Sequence, residues 1–217
     1  MLTDEVHFFR SLVAAPRVTG AVAPSGRALA RAMAAAVGDA TATRGLIVEL
    51  GPGTGPVTRA LLDRGVERNR LILVEFDQRF CRILAERFGP AGIVQGDAYD
   101  LPRTLRDFTA QPIGAIVSSL PLLNQPTQRR EKLIDDAFSL MGPDGLFVQF
   151  TYGFMSPIPL EACARRYSAR RAAPVWRNLP PARVWTYRLA ANREADEAPR
   201  RELKCGGMSG GRAAEDR

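Results

Sequence analysis

The chain has 217 residues, 46% hydrophobic and 24% charged, enough for one well-buried domain and hardly two. A formal net charge of +7 with a single histidine selects an anionic partner: nucleic acid, an acidic ligand or an anionic membrane surface. Three widely spaced cysteines give neither a disulfide framework nor metal-ligand spacing, which points to a reducing compartment; no apolar run approaches the ~18 residues of a transmembrane span, and the acids in "MLTDEVHFFR" oppose an export signal.

In chain order, residues 3–15 predict a short amphipathic helix. At 100° per residue Leu2, Val6, Phe9 and Val13 share a stripe, with Asp4, His7, Arg10 and Ser11 opposite. "PSGRALARAMAAAV" predicts a second helix from Ser25 to about Val37, with the serine as its cap. The pattern then changes to short apolar strands alternating with helices. Strands are expected at 46–50, 70–77, 91–98, 113–123 and 146–152, and helices at 56–64, 78–88 and 127–141. This alternation describes a parallel sheet covered on both faces. Residues 159–172 read as a helix, 182–190 as a last strand, and the polar text after Asn192 as a disordered tail. The expected organisation is an N-terminal helical segment over 1–40, an α/β domain over 41–192 and a tail over 193–217.

The turn "VELGPGTG" carries the chemistry. Gly51 and Gly53 fit a dinucleotide fingerprint, but Pro56 stands where its third glycine belongs, and no Lys-Ser/Thr follows for a P-loop. A G-x-G-x-G turn after a strand ending in an acid instead lets backbone approach a ligand and leaves room for adenosyl and methionyl groups. Glu75 ends the second strand, where a carboxylate can accept both ribose hydroxyls or simply cap the next helix. Asp97 can take an exocyclic amine of adenine or serve as an ordinary turn residue. Glu49 can orient water or an amide near a methionine ammonium. All lie at carboxyl ends of successive strands, so they converge on one crevice and favour S-adenosylmethionine.

"VELGPGTG", "LVEFD", "GDA" and "LPLLN" resemble the class I methyltransferases, which implies a Rossmann-like three-layer sandwich with a mostly parallel sheet. "FFRSLVAAPRVTGAVAPSGRALARAM" and "NLPPARVWTYR" are similar to stretches of the bacterial phospholipid N-methyltransferases, which convert phosphatidylethanolamine stepwise to phosphatidylcholine. The resemblance runs over about residues 5–190. It implies donor-binding roles for Gly51, Gly53, Gly55, Glu75 and Asp97, and the expected donor site also takes in Glu49, Phe76, Gly96, Ala98 and Ser118. It also implies a membrane-binding N-terminal helix over about residues 2–15, using Val6, Phe9, Arg10 and Val13.

On the acceptor side, Ser119, Leu120 and Pro121 follow the fourth strand. The ribosomal RNA adenine dimethyltransferases share the "GPGTG" loop and carry Asn-Leu-Pro-Tyr at this place. Ser119 here stands at the Asn position and Leu122 at the Tyr position, so neither the amide nor the stacking ring for a flipped base is present. An acceptor with an aliphatic neighbourhood is expected instead. Tyr152 can offer a hydrogen bond to a reacting amine or pack at the rim. His7 reads as solvated.

Residues 161–188 hold seven arginines against Glu161 alone. Arg165, Arg166, Arg170 and Arg171 fall within two turns of the helix expected there and would form a basic face for lipid headgroups, each worth about 1 kcal/mol at an anionic leaflet, or an ordinary charged surface. Arg183 can pair with a phosphate. The leading expectation is a phospholipid N-methyltransferase at the cytoplasmic face of the membrane, with a phospholipid substrate, no metal and no nucleic-acid partner. An RNA adenine methyltransferase and a non-catalytic membrane adaptor are the alternatives.

Overall fold

A computed structural model describes residues 24–38, 45–108, 111–159, 166–178 and 181–190. The helix expected at 3–15, Arg165 and the stretch after Asn192 lie outside them. The first described element, helix α1 (Pro24–Ala36), begins one residue before the serine expected to cap it. Its apolar positions Leu29, Ala30, Met33, Ala34 and Val37 are all buried, one stripe of a 3.6-residue period.

Strand β1 (Leu46–Leu50) is buried at every position, as is β2 (Leu71–Glu75). Only a strand covered on both faces can be so. Alternate side chains divide between two cores. Val48, Leu50, Ile72 and Val74 join helix α5 (Thr127–Met141), through Leu133, Ile134, Ala137 and Phe138. Ile47, Leu71 and Leu73 join α1, helix α2 (Pro56–Leu62) and Leu84 of α3 (Gln78–Phe88). The result is a three-layer α/β/α sandwich.

The remaining strands are β3 (Ile93–Gln95), β4 (Ile113–Ser118), β5 (Leu146–Thr151), β6 (Tyr167–Arg171) and β7 (Arg183–Leu189), with the one-turn helix α4 (Leu101–Thr104) after β3. The seven form one sheet in the order β3-β2-β1-β4-β5-β7-β6. All pairings are parallel except those of β7 with β5 and β6, so β7 alone runs backwards. Sequence order reverses between β1 and β4, the place where an open α/β sheet leaves a crevice beyond its carboxyl ends.

One expected element is overturned. Residues 167–171, expected as helix, form β6. Ala and Arg are strong helix formers, but propensity is worth under about 1 kcal/mol per residue, and tertiary pairing outweighs it: β6 gives β7 a backbone partner on its outer side. Tyr167 anchors the strand, stacked on Phe138 with centroids 4.9 Å apart and its hydroxyl donating to Asp135. The basic helical face therefore does not exist in that form. Arg170 and Arg171 are successive strand residues and point to opposite sides of the sheet, while Arg166 pairs with Asp135 at 3.1 Å. The fourth strand also ends earlier than expected, at Ser118, and Leu122–Asn124 make a 3₁₀ turn.

Gly55 shows how tightly α2 is seated. It holds φ +80°, and a Cβ there would lie 2.4 Å from the Phe88 ring. Gly65 has a similar φ of +88° but open space around it. Gly55→Ala should therefore lower stability by about 2–4 kcal/mol, combining strain and overpacking, against about 1 kcal/mol for Gly65→Ala. Urea unfolding of the two variants measures the difference, and equal midpoints would remove the steric part.

Candidate functional site

The strand registers bring the expected residues to one edge. Leu50 lies opposite both Val74 and Ser118, Glu75 opposite Gln95, and Ser118 opposite Gln149. Gly51, Phe76, Gly96 and Ser119 thus each follow the last paired residue of their strand. The Gly51 N–H donates to Val74 O, and Ser119 N–H donates to Leu50 O, both at 2.9 Å. These bonds extend the sheet by one step and bring the two loops together.

Glu75 grips the glycine turn. Its carboxylate accepts the Gly53 N–H at 3.0 Å and the Asp77 N–H at 2.9 Å, while Asp77, and not Glu75, caps α3. An ionised carboxylate has about four acceptor positions, so positions remain for a ligand diol. Gly53 holds φ +58° and a Cβ there would meet nothing within 4 Å: the turn opens onto unfilled space. Phe76 is 72% exposed beside it. Gly55 and Ala98 serve packing instead, the first against Phe88 and the second in the core with Leu101.

Asp97 is already engaged on both oxygens. One accepts the Tyr99 N–H at 2.9 Å and the other lies 3.8 Å from Arg129, whose guanidinium sits 4.1 Å over the Tyr99 ring. Its backbone carbonyl accepts the Thr104 hydroxyl at 2.8 Å, and Thr104 also closes on Gly96. Asp97 is half-exposed, so it remains reachable from the crevice.

Glu49 is fully buried at the floor. The Thr58 hydroxyl donates to one of its oxygens at 2.7 Å, and the other has no hydrogen-bond partner. Burial, reinforced by the charge of Glu75 and opposed by the Thr58 contacts, pushes the Glu49 carboxyl up to about 8. An orphaned carboxyl oxygen beside an open glycine turn fits a ligand that carries cationic charge. Together with the diol acceptors on Glu75, the donor set fits S-adenosylmethionine.

Across the crevice, Ser118 is buried, and its Oγ accepts the Leu120 N–H at 3.4 Å. Gln149, which the sequence reading missed, lies buried on β5 and donates to Leu120 O at 2.9 Å and to Phe150 O at 2.8 Å. Its signal was a lone amide in an otherwise apolar strand. The loop after β4 is thereby fixed at both its amide and its carbonyl. Leu122 turns into the core, 2% exposed, whereas Leu123 stands out at 47%. The aliphatic wall expected from Leu122 therefore falls to Leu123. Tyr152 packs edge-on against Phe150 at 5.4 Å and bonds to Asn178. Burial raises its phenol above the ordinary value, so it is a hydrogen-bonding group rather than a base at neutral pH.

No family model matches the chain. It is 35% identical over 109 residues to the ornithine lipid N-methyltransferase of Singulisphaera acidiphila, a stretch covering 49% of this chain and 57% of that relative. It is 42% identical over 59 residues to ribosomal RNA small subunit methyltransferase A of a Synechococcus species, covering 26% and 20% of the two chains. The chain therefore spans little more than half of one relative and a fifth of the other. Among solved structures, it superposes with a TM-score of 0.56 on the CcbJ methyltransferase of Streptomyces caelestis, at 19% identity over 77% of this chain and 90% of that one. The DhpI-SAM-HEP complex gives 0.58 at 18% identity over 86% and 97%. The fold is that of the class I methyltransferases.

The raised Glu49 carboxyl sets a pH dependence. Between pH 4.5 and about 8 it keeps its proton in the folded chain and loses it in the unfolded one, so stability falls as pH rises through that window. Glu49→Gln should thus gain stability relative to the unaltered chain on going from pH 5 to pH 8. Urea melts of both at the two pH values read this directly; an unchanged difference would place the titration elsewhere.

Proposed function

We propose that this chain is an S-adenosylmethionine-dependent N-methyltransferase acting on the headgroup amine of a membrane lipid, phosphatidylethanolamine and its methylated forms being the expected acceptors. The observation that carries the reading is the loop after β4. It presents Ser119, Leu120 and Pro121, with Leu122 withdrawn into the core, and so offers neither amide nor ring at the two positions that would hold a nucleobase. The lipid N-methyltransferase relative supports the same choice.

Bound S-adenosylmethionine supplies a methyl group activated by its sulfonium charge. The chain's own contribution is alignment and exclusion of water. With the donor bound, Glu75 would orient the ribose while holding the Gly53 amide, Phe76 would contact the adenosyl group, and Glu49 would support the methionyl part. Ser118 and Gln149 fix the loop that presents Ser119, Leu120 and Pro121 to the acceptor. A headgroup amine with a pKa of about 10, taken from lysine, must lose its proton before its lone pair attacks. The fixed loop and half-buried Tyr152 desolvate the ammonium near a second positive charge, which lowers that pKa. The proton leaves to water before the amine is enclosed, because a lipid phosphodiester is far too weak a base to take it from an ammonium.

The expected site of work is the cytoplasmic face of the membrane, reached by the stripe of Val6, Phe9 and Val13. Among the described residues no helix is long and apolar enough to cross a bilayer, and the proposed attachment is peripheral. Oligomeric state plays no part in the reading.

Methyl-labelled S-adenosylmethionine, offered together with vesicles of phosphatidylethanolamine or ornithine lipid, or with undermodified ribosomal RNA, tests the assignment. Label is expected in the aminolipid; label in RNA alone would reverse it, and vesicle binding without label would indicate an adaptor. Glu75→Ala should weaken donor binding at least tenfold, about 1.4 kcal/mol, by calorimetry. Charged substitutions Val6→Asp and Phe9→Asp should lower vesicle association without changing donor affinity; unchanged association removes the helix from its role.

A further inference from the structure

The loops beyond β5, β6 and the start of β7 share an edge with the crevice and carry large apolar side chains in the open. Phe154, Met155 and Trp176 are 79%, 78% and 75% exposed, and Leu123 is 47% exposed. Isolated exposed apolar residues are ordinary; these are not isolated. A Cβ on Gly153 would lie 3.1 Å from Leu123 Cδ1, and Phe154 follows directly. The Arg183 guanidinium lies 5.3 Å over the Phe154 ring, and Arg183 pairs with Thr151 in the β5–β7 ladder. On the far side, Tyr152 bonds to Asn178, and Val175 bridges to Ala182, which holds Trp176 and Arg177 at the same rim.

Charge distinguishes this rim from an aggregation-prone patch. Among residues 146–159, 166–178 and 181–190 there is no Asp or Glu but there are six arginines, of which Arg171, Arg177 and Arg183 lie at this end of the sheet. Aromatic and thioether side chains set among arginines match an interface that is apolar below and anionic above. A folded protein partner would offer no reason for such scarcity of acids, Glu161 being the one acid between residues 146 and 190. RNA would accept the arginines and Trp176, but it has no use for Met155 and Leu123 beside them.

We infer that the rim formed by Leu123, Phe154, Met155 and Trp176, flanked by Arg177 and Arg183, is a docking face for an anionic lipid bilayer. It rests on the lipid reading of the crevice and adds a second contact, on the catalytic domain itself. Seated this way, the carboxyl edge of the sheet faces the headgroups. An amine can enter beside Leu120 and Pro121 while its acyl chains stay in the membrane. The arginines hold headgroup phosphates beside the crevice.

Trp176 reports on this directly, because Trp185, the other of two tryptophans, is buried at 6% exposure. The full chain is mixed with vesicles of phosphatidylglycerol and phosphatidylcholine, and in parallel with brominated phosphatidylcholine in the mixture. The expected results are a blue shift and bromine quenching of Trp176, both absent in Trp176→Phe. Phe154→Ser with Met155→Ser and Trp176→Ser should lower vesicle partition at least tenfold while calorimetric donor affinity is unchanged. Arg177→Glu with Arg183→Glu should abolish the preference for anionic over neutral vesicles. An emission that stays unshifted and unquenched on vesicles that bind the chain overturns the inference, as does one already blue in buffer because the chain covers its own rim, or one that moves only with RNA. Label in the aminolipid with Trp176 unquenched sinks the docking face alone. Quenching without any label sinks the activity reading and leaves the face standing.

Discussion

The hydrogen bond from the Gly53 amide to the Glu75 carboxylate, 3.0 Å long, ties the turn after β1 to the end of β2. Beside it, the turn is held by the Gly51 bond to Val74, the Gly55 N–H bond to Pro52 O, the Arg87 guanidinium donating to Thr54 O and the seating of Gly55 against Phe88. With it, two loops from neighbouring strands become one wall. Glu75 also takes the Asp77 amide, which frees Asp77 to start α3, so the same carboxylate sets where the next helix begins. A group that organises loops this way arrives at a ligand with its geometry already fixed, and little ordering entropy is then lost on binding.

The opposite wall is fixed by a different device. Gln149 reaches from β5 to the carbonyl of Leu120, and Ser118 meets the Leu120 amide. Both are buried polar residues in strands otherwise filled by apolar side chains. Glu49 and Thr58 form a third such pair on β1 and α2. Buried polar groups cost stability unless paired, and Glu49 and Gln149 each keep one unpartnered oxygen. Among the described residues these four cluster at the carboxyl edge of the sheet. A fold that breaks the apolar rule there has spent stability on a site.

Charge follows a third logic. Of the arginines expected to line one helical face, Arg170 and Arg171 lie on the edge strand β6 and Arg166 directly precedes it. Arg166 is drawn into a pair with Asp135, and Arg183 is drawn over Phe154. What unites the remainder is the sheet edge on which they emerge, beside exposed apolar side chains and the crevice. The antiparallel β7 makes this happen: by running backwards it brings its amino end, with Arg183, to the edge where β4, β5 and β6 finish.

The sequence by itself determined the alternation of strands and helices, the glycine turn, and the acids at the strand ends. These are encoded locally, in two- and 3.6-residue periods and in positions only glycine tolerates. It determined the existence of β7 as well, but not its burial: Val184 on one face and Trp185 and Tyr187 on the other are all buried. Only the tertiary structure decided that 167–171 is a strand, because nothing in "YSARR" requires pairing until β7 presents an open edge. Likewise, only the fold decided that Leu122 packs inward while Leu123 faces out, and that Gln149 supports a loop 29 residues away. Those roles arise from contacts between segments distant in sequence, and a local pattern carries no record of which partner a side chain will meet.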